Sequence, residues 1–238
     1  MIPPANTKLK HTPLGDLALI AAWLGPIRPT DLGAINEAQV VIFSEQAPEP
    51  ETRTPTDLLI FACADAEATV AAATVCAVVT GMDPAGITAD YFDVDWRLDH
   101  GEWMRICEQT RDLMVSITAL GSDHSALLAT LPPSFSACVQ AILESPDRKI
   151  PVLLDGPGPA AAAVLAAQMS LDCLNWVRPL QLGTTPTELR AWDHLRLDPI
   201  LRVRTRLNDG SLSELATTKV NTALALARTH LIGPVGDP

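Results

Sequence analysis

The chain has 238 residues, 47% of them hydrophobic but only 4% aromatic, with a formal net charge of −11 and a sequence pI near 4.8. That apolar content can bury the core of one large domain or two small ones, and the scarcity of aromatics favours closely packed helices over a β-sandwich. The negative charge argues against a nucleic-acid partner, because a phosphate backbone has to be met by a basic face.

In chain order, residues 13–24 (PLGDLALIAAWL) place Leu14, Leu17, Ile20, Ala21 and Leu24 on one helical face, with Pro26 and Pro29 expected to end the helix. Residues 38–44 (AQVVIFS) read as the first buried strand. The acidic, proline-rich stretch 45–56 that follows is expected to be an exposed loop. Residues 57–81 leave two readings open: a strand at 58–63 with a helix at 67–79 behind it, or one long buried helix. Residues 87–94 (ITADYFDV) alternate like a strand, and 100–120 are expected to form a long helix. Ser122-Asp123 should cap a short helix running to Leu131; Pro132-Pro133 then breaks the chain before a helix at 135–143.

The most informative punctuation lies in residues 149–168, KIPVLLDGPGPAAAAVLAAQ. The apolar run 150–154 suits a strand buried on both faces, Asp155-Gly156-Pro157-Gly158-Pro159 stops it, and an alanine-rich helix follows over 160–168. Such a strand–turn–helix is half of a βαβ unit, and ligands in open α/β sheets gather where strand ends meet helix starts. Further on, 175–181 read as a strand or an extended connection, 186–195 as a helix, and 212–228 as a closing helix. The alternation predicts an α/β fold in a single domain over 1–238. We expect a mostly parallel sheet with helices on both faces, Rossmann-like and three-layered, with a small helical subdomain drawn from the N- and C-terminal helices.

No P-loop, GxGxxG, GxSxG or HExxH motif is present, and the five histidines are scattered without metal-ligand spacing. No metal and no cofactor are expected. The five cysteines lie far apart and read as small buried hydrophobes of a reducing compartment, not as disulfides or zinc ligands. The opening MIPPANTKLK lacks an apolar leader core, and no apolar run would span a bilayer. A cytoplasmic protein without a membrane partner is therefore the expectation.

Several blocks, taken together, resemble one family. They are the strand Pro151-Val152-Leu153-Leu154-Asp155-Gly156, the alanine-rich helix after it, and Arg206-Leu207-Asn208-Asp209-Gly210-Ser211 before the closing helix. Upstream, Thr12-Pro13-Leu14-Gly15-Asp16-Leu17 and residues 125–143 add weaker likenesses. The order is similar to that of the nicotinate-nucleotide:dimethylbenzimidazole phosphoribosyltransferases of cobalamin lower-ligand assembly, whose motifs are P-V-x-x-D-G and R-L-G-E-G-[ST]-G-A.

The resemblance implies a site that binds nicotinate mononucleotide and a benzimidazole-type base, with Asp155, Gly156, Gly158, Gly210 and Ser211 against substrate. It places Asp209 where the family has the glutamate that takes the base's proton during attack at C1′ of the ribosyl group. It also implies a homodimer, or pairing with a full-length relative. The departures point to weakened or lost transfer. No G-E-M-G-I-G-N-T-T loop is found, Pro132-Pro133 replaces a Gly-Gly, Phe43-Ser44-Glu45-Gln46 replaces A-D-H-G, and Gln181-Leu182-Gly183-Thr184-Thr185-Pro186 replaces a histidine-bearing segment. Proline has no N–H for a phosphate. Asp209 sits one methylene nearer the backbone than a glutamate, and a displacement of about 1 Å can cost roughly 10²-fold in rate. Glu214 is the other carboxylate within reach. Three readings stand: an active transferase with Asp209 as base, a non-catalytic paralogue that binds or partners, or an unrelated α/β protein. Asp209 has an alternative role as a turn and helix cap, and Asp155 one as a turn stabiliser.

Overall fold

In the computed structural model, residues 15–27, 33–46, 55–63, 65–89 and 99–231 are described. Among the described residues, four parallel strands form one sheet in the order β1-β2-β3-β4: β1 (Ala38–Phe43), β2 (Leu58–Cys63), β3 (Val152–Asp155) and β4 (Val177–Pro179). In register, Ala38 pairs with Leu58, Ala62 with Asp155, and Leu154 with Pro179. All four strands therefore end at the same edge.

Helix α1 (Asp16–Ile27) precedes the sheet and passes through Pro26, so the expected stop falls inside the helix. Of residues 57–81, the first part is β2 and the rest is α2 (Ala66–Thr80), closed by Gly81 at φ 71°. The strand expected at 87–94 is corrected at its start. Ile87 ends the short helix α3 (Pro84–Ile87), whose proline start and Asp83 cap favour a turn, and 90–98 lie outside the described residues. Helix α4 (His100–Leu120) is followed by α5 (His124–Thr130), which Asp123 caps by accepting from Ala126 N–H at 3.0 Å. Pro133 then opens α6 (Pro133–Leu143), and α7 (Ser145–Arg148) leads into β3. Helix α8 (Pro157–Met169), a 3-10 turn over Leu171–Asn175, α9 (Pro186–Leu195) and α10 (Ser213–Leu231) complete the order. Much of the loop expected at 45–56, and residues 12–14 of the weaker likeness, lie outside the described residues.

The sheet is covered on both faces, which makes three layers. Leu59, Phe61, Val152 and Leu154 point into a core shared with α2, α6, α8 and α9. Their neighbours Leu58, Ile60 and Leu153 point the other way, towards Trp23 and Leu24 of α1 and Val220 and Leu224 of α10. This alternation of successive side chains explains why the strand interiors read as unbroken apolar runs. On the first face, Ala71 and Ala72 of α2 and Ala160 to Ala163 of α8 are all buried; their small side chains let the two helices approach closely. The abundance of alanine is thus an interhelical feature. Cys76, Cys138 and Cys173 are buried, and burial pushes the Cys76 thiol up to about 11, so these groups behave as apolar filler. No helix of the described residues is long and apolar enough to cross a membrane.

Candidate functional site

The expected site lies at the C-terminal edge of the sheet, where β3 ends in Asp155. Leu153 faces α1 and α10, so by alternation Asp155 faces the same side, and it meets the segment that leads into α10. Asp155 is completely buried. Its Oδ2 accepts from Gly210 N–H at 2.9 Å and its Oδ1 from the Gln181 side-chain amide at 3.2 Å. Burial pushes its carboxyl up to about 6, against the lowering influence of these two bonds, and nearby Glu188 and Asp209 push the same way.

Gln181 is the hub of this region, and nothing in the sequence singles it out. It is 2% exposed. Its Nε2 also donates to Leu207 C=O at 2.9 Å, while its Oε1 accepts from both the N–H and the hydroxyl of Thr205, each at 2.9 Å. Residues 205–210 are thereby bound to the ends of β3 and β4 through two side chains.

The glycines of this turn are occupied by the protein itself. Gly156 has φ 91° and precedes α8, and a Cβ there would lie 2.7 Å from Asn208 Cβ. A Cβ on Gly158 would lie 2.6 Å from Cys63 Cβ and 2.9 Å from its sulfur. Gly210 has φ 80°, and a side chain there would overlap Val40. Helix α8 opens with Pro157 and has Pro159 two residues on, and Ala160 N–H is already bonded to Gly156 C=O. Of the first four residues, only Gly158 brings an uncommitted backbone donor to this helix start.

Gly158→Ala is expected to cost about 1–3 kcal/mol, as a close helix–strand approach is wedged open. Because the clash is with the Cys63 side chain, Cys63→Gly should return part of that loss. A double-mutant cycle by urea denaturation measures the coupling.

Asp209 and Ser211 lie on the outer side of the same segment, both exposed. Asp209 Oδ1 accepts from Ser211 N–H at 3.0 Å and from the Ser211 hydroxyl, and these bonds hold its carboxyl below the usual carboxylate range. The structure thus joins Asp155 to Gly210 directly and leaves Asp209 and Ser211 bonded to each other. Glu214 is exposed in the first turn of α10.

A separate cleft of about 580 Å³ lies between the start of α2, the middle of α4 and the α5–α6 turn. Glu67, Arg105, Asp112, Leu131 and Pro132 are among its walls, and none of the six residues picked from the sequence lines it. Pro132 and Pro133 form the start of α6 there without an N–H between them. Among the described residues, no group of three His, Cys, Asp or Glu side chains is placed to hold a metal ion.

Comparison with known proteins agrees with the fold. A family model described as phosphoribosyltransferase matches residues 46–231, which places the chain in the phosphoribosyltransferase class. The chain belongs to the nicotinate-nucleotide–dimethylbenzimidazole phosphoribosyltransferase family. Relatives of that name include one from Streptomyces avermitilis, 28% identical over 205 residues, covering 85% of this chain and 54% of the relative. Another, from Mycobacterium avium, is 32% identical over 174 residues, covering 71% and 48%. The crystal structure of the Thermus thermophilus enzyme of that name superposes with a TM-score of 0.61 at 21% identity, over 74% of this chain and 50% of that one. The chain spans about half the length of the curated relatives it matches.

Proposed function

We propose that this chain is a phosphoribosyltransferase scaffold of cobalamin lower-ligand assembly in which ribosyl transfer is weakened or lost, leaving a binding or partnering role. The observation that carries this reading is the state of Asp209. A general base works best when its pKa lies near the working pH and its lone pairs face the substrate. Asp209 is instead exposed and engaged by Ser211, which makes it a weak base. The prolines at the starts of α6 and α8 support the same reading, because they remove backbone donors that a phosphate would use. The relatives' names supply the ligand classes to try: a nicotinate nucleotide and dimethylbenzimidazole. A second copy of this chain, or a full-length relative, is the partner that fits family membership.

An active transferase is the second reading, and it has one observation in its favour: residues 205–210 are bonded firmly to the sheet edge, as a catalytic segment would be. The test gives the purified chain nicotinate mononucleotide and 5,6-dimethylbenzimidazole and looks for α-ribazole phosphate. We expect no turnover that depends on Asp209, so that Asp209→Asn leaves the trace unchanged. Product formation that disappears in the variant would establish the second reading. A ligand-induced rise in melting temperature without product would support binding alone.

A further inference from the structure

Residues 205–210 lie across the end of β3 as a strap, and one of its two side-chain anchors is a buried carboxylate. Each oxygen of Asp155 meets a single N–H, from Gly210 and from Gln181. An ionised carboxylate offers about four acceptor positions, so two donors leave it poorly solvated. The charged groups that bear on it are both acidic: Glu188 on α9 and Asp209 on the strap itself. Gln181 cannot turn its amide to compensate. Thr205 N–H needs the amide oxygen, and Leu207 C=O needs the amide nitrogen. The strap also carries a buried acceptor without a donor, Asn208 Oδ1, packed against Gly156 beside Asp155. A protonated acid would carry no charge to be solvated.

We propose that the strap is a pH-sensitive closure, tight when Asp155 is protonated and more readily opened once it is ionised, with Gln181 as the residue that positions it. The direction follows from linkage. Burial is the largest influence on Asp155 in the closed form and raises it from 3.8 to about 6. When the strap lifts, water reaches the carboxylate and restores ordinary acidity. The open form then binds fewer protons between pH ~4 and ~6, so a rise in pH through that window favours opening. Opening uncovers the strand ends and displaces Asp209 and Ser211 together. The inference concerns the strap alone and holds whether or not Asp209 ever acts as a base.

The experiment is native-state amide exchange by NMR on the full chain. After correction for intrinsic exchange, protection of the Gly210 and Thr205 amides is expected to fall about tenfold between pH 5 and 7. Sheet amides such as Val152, bonded to Trp176 C=O, should remain better protected throughout. Asp155→Asn, which does not titrate, should flatten the profile. Glu188→Gln removes one like charge and should reduce the span, which keeps the test decisive if the first variant does not fold. A flat profile in the unmodified protein would overturn the proposal. So would strap amides that exchange only together with the sheet.

Discussion

Replacing Gln181 with leucine is expected to destabilise the protein by about 3–5 kcal/mol, because one truncation takes a donor from the buried Asp155 carboxylate and the partners of two strap groups at once. Thr205 N–H loses its acceptor, Leu207 C=O loses its donor, and Asp155 keeps only Gly210. Leucine fills a similar volume, so the loss reports hydrogen bonding and not a cavity. Gln181→Glu separates the two sides of the hub. Its oxygens can still serve Thr205, but a carboxylate would then face Asp155. That variant should be severely weakened at pH 7 and recover part of its stability below about pH 5, as the pair takes up a proton. Equilibrium denaturation at the two pH values reads both effects.

The second large effect is expected at Glu188, which is 1% exposed. Its Oε2 accepts from Thr184 N–H and Thr185 N–H, each at 3.1 Å, and from the Thr185 hydroxyl at 3.0 Å. The Thr185 hydroxyl in turn accepts from Glu188 N–H, which completes a capping box at the start of α9. Glu188→Ala removes the shared acceptor and should cost about 2–4 kcal/mol. Glu188→Gln keeps an amide oxygen in place and should cost less than half as much. If the two variants lose equal stability, the charge of Glu188 matters more than its acceptor geometry. The buried position also explains the pKa: desolvation raises this carboxyl even as the threonine donors lower it.

The strand–turn–helix around Asp155 is legible in the sequence because its signals are local. An apolar run, a Gly-Pro stop and an alanine-rich helix each follow from neighbouring residues; β3 and α8 form there, but β3 runs to Asp155 and α8 begins at Pro157, inside the expected turn, because proline suits a helix's first turn. The helix at 186–195 is legible to the residue for the same reason, with Pro186 and Glu188 marking its start. The strand expected from 87 misleads at its start because the alternation begins on the last residue of a proline-started turn that ends at Ile87. The site is less legible. Asp155, Gly156 and Gly210 stand out in the sequence, but the partners that fill the space around them come from far along the chain. Asn208 packs on Gly156, Val40 on Gly210 and Cys63 on Gly158. Gln181 bonds to residues on both sides of it across 24 to 26 positions. An isolated glutamine after a short strand carries no local mark of such a role. The nearest signal is Thr205, a side chain able to bond locally before Arg206.

The order of the sheet also constrains how the molecule comes together. The unit β3–α8–β4 is contiguous, and its pairings close over short stretches of chain. By contrast, β2 must find β3 across α2 to α7. The backbone N–H and C=O of Ile35, just ahead of β1, are both held by the Asn221 side chain, 186 positions away. Contacts of such separation carry a heavy loop-closure cost and form late. On a ribosome the β1–β2 pair and the β3–α8–β4 piece can each assemble before α10 emerges. Helix α10 therefore fixes the segment ahead of β1 in place through Asn221, from far along the chain.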